Sequence, residues 1–207
     1  MIKAVIFDMD GVLADTERYH EIAYKAVAKK FGVNLTEKEI TQFKGVTALE
    51  NIKDLFKKYK INENAKKYTL LKDKIYRGYL KNLKALPGAI SLLKKLKKKK
   101  IKLALASSGS KLNVQFILNK LKIKKYFDVI INGEQVKKGK PNPEIFLNAA
   151  KKLKVKPKDC VVIEDAVNGV KAAKNAGMFT IAVATTFTKQ ELKDADLVLD
   201  SLKGLKI

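Results

Sequence analysis

The stretch KAVIFDMDGVLADT (residues 3–16) sets an unbroken apolar run directly before three aspartates and a glycine. KAVIF (3–7) has the continuous hydrophobicity and β-branching of a buried strand. Asp8, Asp10 and Asp15 then fall within one short segment of a chain that is lysine-rich nearly everywhere else. Asp8 and Asp10 straddle a single residue in an irregular loop, so both can turn toward one pocket.

Downstream, TERYHEIAYKAVAKKFG (16–32) places Ile22, Ala26, Val27 and Phe31 at helical spacing, with Gly32 suited to a helix end. Asp15 and Thr16 read as the cap of that helix. Residues 36–44, 48–59 and 65–82 also read as helices, with no strand signal between them. An all-helical insert, residues 15–83, is therefore expected after the first strand. The remainder, 1–14 and 84–207, forms the expected core domain.

From Leu86-Pro87-Gly88 onward the pattern alternates. A helix through AISLLKKLKKKK is followed by strands at 102–107, 127–131, 160–165, 179–184 and 195–200, with helices at 111–121, 143–153 and 166–177. Such alternation implies right-handed crossovers and a parallel, doubly wound, Rossmann-like α/β sheet. Sheets of this kind bind ligands outside the carboxyl ends of their strands. Asp8 and Asp10, Ser107 and Ser108, and Glu164 and Asp165 all lie at such ends. Far apart in sequence, they are expected to meet at one sheet edge.

Four carboxylates cannot share a site without a cation, because like charges raise one another's pKa values. An all-oxygen cluster favours a hard ion, Mg²⁺ above all. Lys140, in KKGKPNP (137–143), can reach the same edge and neutralise charge. Ser107 and the loop amides of 108–110 can donate to phosphate oxygens ahead of the next helix.

Composition narrows the class. The chain has 207 residues and 46% hydrophobic content, enough to bury a sizeable core. It contains no run of about 18 apolar residues, and acidic residues follow the first apolar run too soon for a signal peptide. Cys160 is the lone cysteine, which excludes an internal disulfide and a thiolate metal cluster; within CVVIED it reads as a packed thiol. A cytoplasmic protein without a membrane partner is expected. The formal charge is +23, yet Arg18 and Arg77 are the sole arginines and the lysines are scattered. Nucleic-acid readers favour arginine for base contacts and aromatic faces for stacking. Tyr59 and Tyr68 among lysines are thin support for such a module, and a solvated surface that attracts anionic substrates fits better.

The motifs resemble those of the haloacid dehalogenase (HAD) superfamily of phosphotransferases. DMDGVLADT matches the first motif, Ser107 at the end of IKLALAS the second, Lys140 in GKPNPEIF the third, and VVIEDAVNGVKAAKNAGM, with Glu164 and Asp165, the fourth. The resemblance implies that Asp8 attacks phosphorus to form an aspartyl phosphate and that Asp10 serves as acid and base. It implies Mg²⁺ held, directly or through water, by Asp8, the Asp10 carbonyl, Asp165 and Glu164, with Ser107 and Lys140 steadying the transferring group. True haloacid dehalogenases lack the second aspartate and need no metal, so Asp10 argues against that chemistry.

The helical insert resembles the cap of the subfamily that holds β-phosphoglucomutase and many small-molecule phosphatases. Its loop FKGVTALEN (43–51) is the expected substrate reader, with Lys44, Gly45 and Thr47. Ser108, Ser110 and Lys111 join from the core, and His20 is a packing residue by default with an auxiliary role open. Mutases carry Lys-Gly-Val-Ser-Arg in the cap loop, whereas this chain reads Lys44-Gly45-Val46-Thr47-Ala48. Leu112 also replaces an asparagine of the mutase pattern after Ser110-Lys111. Without the guanidinium the second phosphate anchor is weak. The favoured expectation is a monomeric Mg²⁺-dependent phosphatase of a small phosphorylated metabolite, such as a sugar phosphate. A β-phosphoglucomutase is the alternative.

Overall fold

The computed structural model describes residues 2–207. Six strands form one parallel sheet: β1 (Ala4–Phe7), β2 (Lys102–Ala106), β3 (Val129–Ile131), β4 (Cys160–Glu164), β5 (Phe179–Val183) and β6 (Leu197–Leu199), in the order β3-β2-β1-β4-β5-β6. This is the doubly wound order, and every residue of central β1 is buried. Alternation along β1 divides the core. Val5 and Phe7 pack with leucines of one helical layer, and Ala4 and Ile6 pack with Phe146, Ala149, Ala172 and Ala173 of the other.

Four helices separate β1 from the rest of the sheet: α1 (Glu17–Lys29), α2 (Glu37–Phe43), α3 (Ala48–Lys58) and α4 (Ala65–Tyr79). They bury an apolar cluster of their own around Tyr24, Val27, Ile40, Ile52, Leu55 and Phe56. The entering and leaving chains run side by side: Leu86 N–H donates to the Leu13 carbonyl at 3.0 Å and Asp15 N–H to the Lys84 carbonyl at 3.3 Å. The helices α5 (Ala89–Lys98), α6 (Lys111–Lys120), α7 (Glu144–Leu153) and α8 (Val167–Asn175) cover the sheet. The helix expected over 65–82 ends at Tyr79 and tightens into a 3₁₀ turn over Leu80–Asn82.

Register positions the functional edge. Phe7 of β1 is level with Leu105 of β2 and Ile163 of β4. The residues just beyond, Asp8, Ala106–Ser107 and Glu164–Asp165, therefore leave the sheet side by side.

Two features come from the lysine bias and from burial. Lys60, Lys100, Lys122 and Lys154 hold left-handed backbone where α3, α5, α6 and α7 end, positions that usually take glycine. Cys160 is buried, and burial pushes its thiol up to about 11, as a packed, unreactive group requires. Among the described residues no helix is long and apolar enough to cross a membrane.

Candidate active site

Asp8 leaves β1 with its N–H bound to the Ile163 carbonyl at 2.9 Å, which fixes it against β4. Its Oδ1 accepts from Lys140 Nζ at 2.5 Å, and the same ammonium donates to Glu164 Oε1. Lys140 is almost wholly buried, yet the two carboxylates outweigh the downward pull of burial and hold its pKa up. The other oxygen of Glu164 accepts the N–H groups of Asp165 at 2.9 Å and Ala166 at 3.0 Å. Gly169 of α8 faces Glu164 closely: a Cβ there would collide with that carboxylate.

One lysine does not balance these acids. Burial, reinforced by Glu164 and Asp10 against the pull of Lys140, pushes Asp8 up to about 8. Asp165 is raised well above the ordinary carboxylate range by burial and by Glu164, Glu17 and Asp8. Its buried Oδ2 has no hydrogen-bond partner and occupies the space a side chain at Gly11 would need.

Asp10 is held differently. Its Oδ1 accepts from Thr16 Oγ1 at 2.5 Å and Tyr76 Oη at 3.0 Å, and lies 3.3 Å from His20 Nε2. Burial pushes Asp10 up, but His20, Thr16 and Tyr76 outweigh it and hold the carboxyl at about 2. Lys72 Nζ lies 2.7 Å from His20 Nδ1. Burial lowers the pKa of Lys72 against the pull of Asp73 and Asp10; when it is an ammonium it can only donate, so Nδ1 then accepts and Nε2 carries its proton toward Asp10. His20 thus ties the insert to Asp10 and is more than a packing residue. Lys72 and Tyr76 were missed in the sequence, and Thr16 was read there only as a helix cap. The available signal was a polar stripe, Lys72, Asp73 and Tyr76, on the buried face of α4.

A cavity lies between the insert and the sheet edge, walled by Asp8, Asp10, Glu164 and Asp165 below and by the 44–46 loop above. Gly45 has φ of +78°, its carbonyl accepts from Ser108 Oγ at 2.8 Å, and a Cβ there would come within 3.2 Å of Ala166. Lys44 lines the cavity, and its carbonyl accepts from Asn168 Nδ2 at 3.3 Å. Ser108, Gly109 and Ser110 form the β2-side wall.

Four expectations need correction. Thr47 does not line the cavity; it caps α3, accepting the Glu50 N–H and donating to Glu50 Oε2 at 2.5 Å. Lys111 is exposed at the start of α6 and contributes no wall. Thr16 makes no side-chain cap on α1, because its hydroxyl is turned to Asp10, and Asp15 is exposed. Ser107 is fully buried behind the wall, its Oγ accepting the Gly109 N–H at 3.0 Å.

Comparison with known proteins identifies the family and the fold. The model of the haloacid dehalogenase-like hydrolases matches residues 5–183. The chain belongs to the haloacid dehalogenase-like hydrolase family. It is 43% identical to the phosphorylated carbohydrates phosphatase of Thermotoga maritima over 180 residues, 86% of this chain and 82% of that one. It is 37% identical to the β-phosphoglucomutase of Bacillus subtilis, covering 100% of this chain and 92% of the relative. A crystal structure of β-phosphoglucomutase from Clostridium difficile superposes with a TM-score of 0.91 at 36% identity, covering 100% of this chain and 94% of that one. This HAD-like hydrolase is accordingly an enzyme of phosphate esters.

Phosphatases of the HAD-like family generally use Mg²⁺, and the residues present fit that ion. Among the described residues no three His, Cys, Asp or Glu side chains converge as a ready-made metal cage. Mg²⁺ does not need one: it is held by one or two carboxylates and keeps water and substrate phosphate for the rest of its shell. The donors on offer are all oxygen, and Asp165 presents a buried oxygen without a partner. Glu164 is spent on Lys140 and two amides, and the Asp10 side chain on Thr16, Tyr76 and His20. With these side chains engaged, the expected set is reached through the Asp10 carbonyl and through water at Glu164.

Proposed function

We propose that the enzyme is a Mg²⁺-dependent phosphatase of a small phosphorylated metabolite of the sugar-phosphate class, working through an aspartyl phosphate on Asp8. The observation that carries this reading is the division of labour between two neighbouring aspartates. Asp8 is paired with Lys140 and stripped of water, and Asp10 is wired to the helical insert.

In this reading residues 1–14 and 84–207 are a core and 15–83 a cap that closes over it. The cap excludes water and presents Lys44 and Gly45 to the substrate. Asp8 attacks phosphorus, the ester P–O bond breaks, and Asp10 passes a proton to the departing alcohol. Because Asp10 is held low, that proton arrives with the substrate. Asp10 then draws a proton from the water that cleaves the aspartyl phosphate. Lys140 and the amides of 108–110 balance charge on the transferring group. Asp8, Asp165 and the Asp10 carbonyl would hold Mg²⁺, with Glu164 orienting Lys140 and the 165–166 backbone beside it. The bound ion supplies charge neutralisation at the phosphoryl oxygens. We place the reaction in the cytoplasm, in a monomer, with no nucleic-acid partner.

The test is a panel of phosphorylated metabolites, with and without Mg²⁺, scored for inorganic phosphate. Release from sugar monophosphates that vanishes in Asp8→Asn is expected. The likeness to β-phosphoglucomutases sustains a second reading. Isomerisation of β-glucose 1-phosphate to glucose 6-phosphate, primed by bisphosphate and with negligible phosphate release, would establish it instead.

A further inference from the structure

The distal wall of the cavity carries a carboxylate that the chemistry above does not use. Asp73 on α4 is 3% exposed and lines the cavity. Its Oδ2 accepts from Ser110 Oγ at 2.6 Å. Its Oδ1 is buried without a hydrogen bond; the nearest cation is Lys72, 3.5 Å away.

Ser110 is the N-cap of α6, and its oxygen receives the Asn113 N–H at 3.5 Å. The start of a ten-residue helix is where an anion is favoured. Here that place already holds protein carboxylates: Asp73 on the cap hydroxyl, and Glu134 on the Lys111 N–H at 3.0 Å. The nearby guanidinium, Arg77, is turned to Asn113 Oδ1 at 2.6 Å and does not line the cavity. A second phosphate of a substrate would meet the Asp73 carboxylate, whose charge is already paired with Lys72 at 3.5 Å, and no free guanidinium.

Resting on the phosphatase reading, we propose that Asp73 is a specificity residue that restricts the enzyme to monophosphates of polyhydroxylated molecules. Asp73 occupies the anion position at the start of α6 and repels a second phosphate. Its Oδ1, ion-paired with Lys72 but accepting no hydrogen bond, accepts a hydroxyl of the substrate's uncharged end. Specificity here is built from repulsion of one class together with a hydrogen bond to the other.

The experiment compares kcat/KM for glucose 6-phosphate and glucose 1,6-bisphosphate in the wild type, Asp73→Asn, Asp73→Ser and Ser110→Ala, each checked for a cooperative thermal transition. Removing the charge is expected to raise the bisphosphate-to-monophosphate ratio at least about tenfold in both Asp73 variants, as loss of a like charge at close range implies. Ser110→Ala keeps the charge and should leave the ratio near wild type. Two folded Asp73 variants with an unchanged ratio, or with equal gains on both substrates, would overturn the proposal while leaving the phosphatase intact. A wild type that releases phosphate from no monophosphate would instead overturn the phosphatase reading, and this inference with it.

Discussion

Lys72 Nζ sits 2.7 Å from His20 Nδ1, and both side chains belong to the helical insert while the imidazole points back to Asp10. Asp10 therefore meets its partners in this geometry because α1 and α4 lie against the core. Lys72→Met is expected to free His20 Nδ1 and release the imidazole from one tautomer. We expect kcat to fall about 10- to 100-fold, less than the 10²–10⁴ that a whole acid–base group supplies. The acidic limb of the kcat profile should move to higher pH as Asp10 loses its grip on the low side. A steady-state pH series checks both, and an unchanged profile would show that Lys72 only packs.

If Asp8 and Asp165 hold Mg²⁺ as proposed, metal binding is a proton-linked event. In the metal-free protein Asp8 is pushed up to about 8, above its unfolded value of 3.8. Its neutral form thus favours the fold below about pH 4, and that contribution is lost as pH rises through 8. Mg²⁺ must displace the proton, so its stabilisation should grow with pH. At about 100 times Kd, linkage gives roughly 2.7 kcal/mol, or about 5–10 °C for a chain of this size. Differential scanning fluorimetry with Mg²⁺ against EDTA should show most of that shift at pH 8.5 and little at pH 5.5. Asp165→Asn should abolish it, a readout independent of turnover.

Lysines at helix ends present a different kind of test. Lys122 and Lys154 have φ of +56° each, a region that costs a side chain about 1–2 kcal/mol. Glycine removes that strain but gives back about 0.5–1 kcal/mol in unfolded-state freedom. Lys122→Gly and Lys154→Gly should each stabilise by up to about 1 kcal/mol, raising Tm by about 2–4 °C. Thermal melts of the single and double variants check this, and the gains should add because the two sites are separate.

The sheet and its acidic edge were legible because they rest on local pattern. Continuous apolar runs marked β1 and β4, and acids directly after them marked the carboxyl ends. The insert's contribution was not legible for the opposite reason. Lys72 is one of 44 lysines and arginines, and its distinction is burial between two aromatic rings, Tyr24 and Tyr76. That burial depends on how α4 crosses α1. Thr16 and Thr47 look alike before a helix, yet the first serves Asp10 and the second caps α3. Which hydroxyl is drawn away depends on a carboxylate six residues upstream in one case and three downstream in the other.

Within the insert, Glu39 closes a capping box with Thr36 and also accepts from Lys58 Nζ and Tyr59 Oη, both at 2.6 Å. Those donors, Lys58 first, hold its carboxyl at about 2, below the 4.5 of an unfolded glutamate. A depressed value contributes stability above about pH 4.5, and that stability is lost as pH falls toward 2. Glu39 is only 6% exposed, so its contacts are sheltered from water, although Lys58 itself is largely solvated. Glu39→Gln keeps the shape but removes the charge on which two donors converge. A loss of about 1–2 kcal/mol is expected near neutral pH, the range for losing a cap and a charged hydrogen bond. Urea titrations of wild type and variant at pH 7, 5 and 3 should converge as the carboxyl protonates. A gap that persists undiminished at pH 3 would mean that shape, not charge, fastens α2 to α3.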